Sequence, residues 1–454
     1  MNKTIIKSRR ADAAQLPRPT AAQQRWQDAE LCALISFDIP IYLEKGWSYE
    51  AAERCVDVDA YSPEKLDTDQ WLEAARALGA RYAVFTATHM AGFRQWQSEN
   101  WPYGLRQARW RKGQADIVRD FIASCRRYKI LPGVFISVRY NAWWHTHHEL
   151  PLFGPHGMLY GNQAATAAYQ AYLRSCEEMV AELCSRYGEL IELWFDGGVM
   201  SPESGGPDVL PIFEKFQPHG VFYHSRQRAD HRWAGAEDGT GGDPCWATMT
   251  DVMAQYEAHR DPEQRRTLLR HGDPDGKDWV PAMADAPIRN HAWFWRKNEE
   301  RLLYSPDDLA AMYFASVGRN ANLVIGLMPD QQGLVPEADM AVCRQFGRII
   351  GEQFKRVLAE TSATGPVVEL ALAGLGRFDK FVIMENISQG ERIREFVIEV
   401  LSPDGSWKEV CRGASIGHKR IARFGAQEAA RARLRITRSV GLPVIRRFAA
   451  YAPS

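Results

Sequence analysis

A carboxylate that follows an apolar run and precedes two glycines is the first place to look for chemistry in this sequence. The run Ile191 to Phe195 leads into Asp196, then Gly197 and Gly198. That order predicts a buried strand over Ile191–Phe195, ended by an acid and followed by a turn. In a parallel α/β barrel the active site lies at the carboxyl ends of the strands, so an acid placed there is a catalytic candidate. The same pattern also suits an Asp that caps the next turn or helix. A further acid, Glu237, stands in the polar turn Glu237-Asp238-Gly239, and by residue type alone it reads as a solvated loop carboxylate. His145-Thr146-His147-His148-Glu149 gathers metal-binding residue types but lacks H-E-x-x-H spacing, so no metal is expected. No Gly-rich phosphate fingerprint follows a candidate strand, and no cofactor is expected.

The elements that would position these acids alternate between strand-like and helix-like from about Leu31 to Leu358. Strands are predicted at Cys32–Phe37, Tyr82–Thr86, Gly133–Val138, Ile191–Phe195, Gly220–His224 and Asn322–Leu327, with helices at Thr68–Leu78, Gln114–Tyr128, Ala167–Tyr187, Leu210–Phe216 and Pro306–Val317. Repeated βα units suggest a (β/α)₈-like barrel, with a doubly wound open sheet as the alternative. After Val357 short alternating segments follow one another: Val367–Leu372, Lys380–Met384, Glu395–Val400, Trp407–Val410 and Ala432–Ile436. They predict a C-terminal β-sandwich. The expected domains are thus 1–358, a catalytic barrel with an N-terminal extension, and 366–454, a sandwich, with Glu360–Pro366 as linker.

The chain has 454 residues, enough for two domains. Its 56 basic and 56 acidic residues balance, so nothing points to nucleic acid or an anionic membrane as partner. No window is apolar over the roughly 18 residues a membrane helix needs, and residues 1–16 lack the apolar stretch of a signal peptide. The eight cysteines show no C-x-x-C pair and read as free thiols, and with no signal-peptide pattern in residues 1–16 the cytoplasm is the expected setting. A content of 15 Trp suits a sugar-binding cleft as well as a core. The sandwich and the aromatic barrel surface could both support a homo-oligomer.

Several stretches taken in order resemble glycoside hydrolase family 29, the α-L-fucosidases, and within it the branch of plant and bacterial 1,3/1,4-fucosidases. They are Trp110-Arg111-Lys112-Gly113-Gln114-Ala115-Asp116-Ile117-Val118, Leu193-Trp194-Phe195-Asp196-Gly197, Arg232-Trp233-Ala234-Gly235-Ala236-Glu237-Asp238-Gly239, Pro244-Cys245-Trp246, Ile288-Arg289 with Trp293-Phe294-Trp295, Ser316-Val317-Gly318-Arg319-Asn320, and Ile416-Gly417-His418-Lys419-Arg420-Ile421. The resemblance implies a retaining exo-α-L-glycosidase acting on an oligosaccharide or glycoside, with a C-terminal sandwich of galactose-binding-like type. Asp196 matches the family's nucleophile and Glu237 the acid/base of this branch. Such a pair must sit about 5–5.5 Å apart, and the acid must hold a proton near neutral pH, so its proton affinity should be raised by burial or by the nearby negative charge.

The sugar-reading positions depart from the family. Ser36 stands where the family carries a His after the first strand, and Gly46 beside Trp47 stands for its Glu. In Thr88-His89-Met90-Ala91-Gly92-Phe93 only the first His of the family's K-H-H-D-G-F survives, as His89, and Met283 replaces a frequent Glu. Missing partners discriminate against a sugar hydroxyl by about 1–3 kcal/mol each. The simplest expectation is the same chemistry on fucose or on an α-L-sugar with other C4 or C5 substitution, such as L-galactose or L-glucose; a silent glycan-binding homologue is the rival reading. Substrate contacts are expected from His89, Trp47, Ser36, Trp96, Tyr140, Trp246 and Trp295. For each indole, core packing is the competing role.

Overall fold

The computed structural model describes residues 16–44, 46–52, 54–144, 163–225, 227–252, 261–290 and 292–454. Its first body is built on β1 (Leu31–Ile35), β2 (Tyr82–Thr86), β3 (Leu131–Ile136), β4 (Glu192–Val199), β5 (Val221–Ser225) and β6 (Arg232–Trp233). A short antiparallel pair, β7 (Thr248–Met249) and β8 (Asp278–Trp279), precedes β9 (Ala282–Pro287) and β10 (Ala321–Leu327). The eight barrel strands run in the order β5-β4-β3-β2-β1-β10-β9-β6, every neighbour parallel. This is a nearly closed barrel, which rules out the doubly wound sheet. The two ends of the order, β5 and β6, are joined by Asp230 rather than by a ladder. Its carboxylate accepts from Phe222 N at 2.7 Å and its own N–H donates to Phe222 O at 3.2 Å.

Helices α1 (Ala21–Ala29), α2 (Tyr49–Ala52), α3 (Thr68–Leu78), α4 (Ile117–Tyr128), α5 (Gln163–Arg186), α6 (Leu210–Phe216), α7 (Pro262–His271), α8 (Pro306–Ala315) and α9 (Glu337–Gln353) accompany the strands. Most strands are apolar from end to end because they are covered on both faces. A barrel-to-helix layer and a separate interior cluster result. The interior holds Trp26, Leu34, Tyr82, Val84, Phe135, Trp194, Tyr223, Met283 and Val324. Helix α1 opens with a capping box between Thr20 and Gln23 and plugs the amino-terminal end of the barrel. There the Trp26 indole stacks on His231 at 4.4 Å, and Glu192 accepts from Trp26 Nε1 and bonds His231 Nε2.

The C-terminal body contains β11 (Val357–Thr364), β12 (Val367–Glu385), β13 (Ile393–Leu401), β14 (Trp407–Gly413), β15 (Arg420–Ser439) and β16 (Val444–Tyr451). They form one continuous antiparallel sheet, ordered β11-β16-β12-β15-β13-β14. This is the expected separate all-β C-terminal domain. The long strands β12 and β15 carry register shifts that bend them, and the sheet closes over Phe378, Phe381, Phe396, Ile398, Leu434 and Phe448. The expected linker over Glu360–Pro366 is mostly strand, since β11 pairs with β16, so the sheet body begins at Val357.

The two bodies share polar contacts, some buried and some at the surface. Glu391 accepts from Ala247 N and from Asn320 Nδ2, His418 bonds Asp28, and Arg420 forks onto Asp243 at 2.7 and 3.0 Å. No described helix is long and apolar enough to cross a membrane, and all eight cysteines are free.

Candidate active site

The site grows from an irregularity in β4. Trp194 pairs with Tyr223 and Val199 with Ser225, so Phe195, Asp196, Gly197 and Gly198 all oppose His224 alone. The strand does not stop at Phe195, as its sequence suggests; it bulges. Gly197 and Gly198 both take positive φ, and a Cβ on Gly197 would lie 3.0 Å from the Tyr140 ring. The bulge places Asp196 at the barrel mouth with its side chain 25% exposed.

His89, just beyond β2, brings Nε2 to 3.4 Å from Asp196 Oδ2. Burial pulls its imidazole down to about 3, so it is neutral at physiological pH. Its Nδ1 has no partner among the described residues, and the same holds for Trp47 Nε1. Trp47 stacks on Phe294 at 5.0 Å, and Phe294 lies 4.8 Å from the His89 ring, with Phe135 on the other side of it. The result is an aromatic cup with two unspent polar atoms beside a carboxylate. Gly46 makes the cup possible. Its φ is +77°, and a Cβ there would meet Trp295 O and Arg296 Cα at 3.1 Å, so the loop can press against 295–296 only with glycine.

The electrostatics centre on Asp196. Burial pushes its carboxyl up to about 7, Glu237 adds to the rise, and Arg139 opposes it. Arg139 is exposed and donates to Gly197 O at 2.9 Å, which holds its guanidinium beside the acid. Glu237 lies on the segment after β6, held to β9 by Ala234 N to Met283 O and Gly239 N to Asp285 O. It is exposed at the mouth, so of the two expected influences burial is absent and the neighbouring carboxylate is present.

Two neighbours escaped the sequence reading. Asp285 on β9 is buried and accepts from Trp233 Nε1 at 2.6 Å. Burial, reinforced by Glu237, pushes it up to about 8, the Trp233 hydrogen bond opposing. His224 lies under the bulge, and burial pulls it down to about 3, helped by the charges of His231 and Arg139. Asp285 was hidden in the small-residue string Ala282-Met283-Ala284-Asp285-Ala286-Pro287, which carries no strand periodicity. His224 was legible as the last residue of a candidate strand.

Not every expected contact gathers here. Asp196, His89, Trp47 and Tyr140 share the mouth, with Glu237 acting on Asp196. Ser36 is buried at the end of β1, its N–H bonded to Leu327 O. Trp295 is half-buried against the barrel-to-helix layer, and its carbonyl faces Trp47 N. Trp96 and Trp246 are placed elsewhere. Trp96 is fully buried and spends its N–H on Glu182 at 2.8 Å. Trp246 lies under Arg394 of the C-terminal sheet, an inter-body contact. Met90, Ala91 and Met283 are buried and apolar. The segment Gly413-Ala414-Ser415-Ile416-Gly417 has the G-x-S-x-G spacing of a serine nucleophile, but it lies in the all-β body, and buried Ser415 accepts from Cys245 N. His145–Glu149 lie outside the described residues, and no group of metal-ligating side chains occurs among the described ones.

A parallel barrel with carboxylates at the carboxyl ends of its strands, opening on an aromatic cup, is the architecture of a glycoside hydrolase. The α-L-fucosidase family model matches residues 21–352, and the chain belongs to that family, glycoside hydrolase family 29. It is 27% identical to α-L-fucosidase 1 of Arabidopsis thaliana over 451 residues, covering 90% of this chain and 82% of the plant protein. The crystal structure of a candidate α-L-fucosidase from Bacteroides thetaiotaomicron is 40% identical, with a TM-score of 0.91 over 97% of this chain and all of that one (100%). A family 29 glycoside hydrolase from a rumen bacterium superposes with a TM-score of 0.79 at 25% identity, over 97% of this chain and 78% of that one.

Proposed function

We propose that this protein is a retaining exo-α-L-glycosidase that releases a terminal α-L-fucosyl or closely related residue. The observation that carries the reading is Asp196, thrust by the β4 bulge into an aromatic cup beside neutral His89, with Glu237 acting on it from the rim. In the first step an Asp196 carboxylate oxygen bonds the anomeric carbon. The bond from that carbon to the leaving oxygen breaks, and the oxygen takes the proton of Glu237. In the second, Glu237 removes a proton from water, the water oxygen bonds the anomeric carbon, and the bond to Asp196 breaks. Trp47 Nε1 and His89 Nδ1 offer hydrogen bonds to sugar hydroxyls, and the apolar stack takes the sugar's C–H face.

Apolar side chains at Met90, Ala91 and Met283 favour a second version of the same chemistry, on an α-L-sugar whose hydroxyl pattern differs from fucose. Eight unpaired cysteines support a reducing, cytoplasmic setting. Hydrolysis of 4-nitrophenyl α-L-fucoside, α-L-galactoside and α-L-glucoside tests the reading, with Asp196→Ala as control. Turnover of one of them, abolished in folded Asp196→Ala, is expected, and the preferred sugar decides between the two versions. Activity retained by Asp196→Ala would refute the assignment.

A further inference from the structure

Tyr49 has no part in the chemistry described so far, yet it stands at the mouth of the site. It opens α2, and at 63% exposed it is one of the few large apolar residues left open to solvent. It is not isolated. Its ring meets Trp47 edge-on at 4.9 Å, and Trp47 in turn stacks on Phe294. Exposure climbs along this row, from 2% at Phe294 through 4% at Trp47 to 63% at Tyr49. The row therefore leads outward from the wall of the cup, starting beside His89 and ending in water. A buried sugar that fills the cup leaves its glycosidic oxygen pointing outward, so whatever is attached to that oxygen meets the outer end of the row.

Two further observations agree with the ring contacts in setting Tyr49 near the carboxylates rather than on an outlying surface. After partial burial, Glu237 and Asp196 both act on its hydroxyl and push it above the usual phenol range, so it lies within reach of both carboxylates. Tyr140, whose ring covers Gly197 next to Asp196, feels the Tyr49 hydroxyl as well. The two tyrosines thus flank the mouth, one on the loop after β1 and one after β3.

We propose that Tyr49, opposite Tyr140, forms a leaving-group subsite that holds an aglycone with a flat apolar ring face, pyranose or aryl, against its exposed ring. This rests on the glycosidase reading and extends it: the cup selects the sugar, and Tyr49 selects for a ring on the far side of the bond. The face of a pyranose or an aryl ring supplies the C–H or π surface an aromatic side chain takes up, and a rigid ring costs little order on binding.

The test compares substrates with and without that ring. α-L-Fucosyl fluoride carries no aglycone ring, 4-nitrophenyl α-L-fucoside carries an aryl one, and an α-1,3-fucosyl-N-acetylglucosamine disaccharide a pyranose. Tyr49→Ala is expected to lower kcat/KM about tenfold on the ring-bearing substrates and to leave the fluoride within about twofold. Tyr49→Phe, which keeps the ring, is expected to retain most activity on all three. A loss confined to the disaccharide or to the aryl glycoside identifies which ring the subsite takes. Equal losses on fluoride and glycosides, or no loss on either ring, would overturn the subsite. Wild-type silence on the fluoride and both glycosides would overturn the fucosyl reading itself, and this subsite with it.

Discussion

The raised proton affinity of Asp196 makes the proposed nucleophile a stability liability, and that can be measured without any substrate. Its carboxyl titrates at about 7 in the folded chain, against an ordinary value of 3.8. The folded state therefore holds this proton more tightly than the unfolded state. At pH values below about 4 the group is protonated in both states and costs nothing. As pH rises from about 4 to about 7 the unfolded chain ionises first, and a penalty accumulates; above 7 it is complete. With each pH unit worth about 1.4 kcal/mol, the penalty is about 4 kcal/mol at pH 8 and about 1.5 kcal/mol at pH 5. Asp196→Asn keeps the shape and cannot ionise, so it should stabilise the protein by those amounts. For a chain of this length, at about 2 cal/mol/K of unfolding entropy per residue, that is roughly 4 °C in Tm at pH 8 and 1–2 °C at pH 5. Thermal melts of both proteins at half-unit pH steps supply the comparison. A gain that does not change with pH, or no gain at pH 8, would refute the claim that burial strains this carboxylate.

The same titration should appear in catalysis. Because Asp196 must be ionised to attack, kcat/KM should fall tenfold per pH unit on the acid side of about 7. Arg139→Gln removes the opposing cation and should move that limb to higher pH, while Arg139→Lys should move it less; a limb centred near 4 in the wild type would contradict the assignment. At the inter-body contact, Glu391→Ala leaves Ala247 N–H without its acceptor and the Asn320 amide with only Cys245 O, and should lower stability to urea by about 2–4 kcal/mol.

How far the sequence carried the reading depends on which residues speak for themselves. Strands β2 and β10 announce themselves as apolar runs, and α3 and α6 have the predicted bounds, because burial on both faces or a 3.6-residue stripe leaves a periodic trace. Strand β6 has two residues and β9 is built of small residues around an acid, so neither leaves such a trace. The linker reading of 360–366 failed because Thr, Ser and Gly also populate an edge strand with one face in water. In the site, Asp196 was legible from the apolar-to-acid-to-glycine order, although the bulge that aims it depends on pairing with β5. Trp96 and Trp246 show the opposite case: an indole's type does not tell whether its N–H faces a cleft or a buried Glu, and only the fold separates the two.

The ties between the two bodies bear on how this protein can be inherited or redesigned. The strip that begins at Glu237 continues into Gly242, Asp243, Cys245 and Ala247, and it is pinned from the far side by Arg420, Ser415 and Glu391. Five residues separate the proposed acid from the first of those pins, Asp243. The C-terminal sheet is therefore less an accessory than the back wall of the mount for Glu237. Domain shuffling that exchanged it would have to reproduce Arg420, Ser415 and Glu391 in place. The natural cassette for grafting is the full span from Thr20 to Tyr451, with new specificity introduced at the mouth, around Tyr49 and Tyr140.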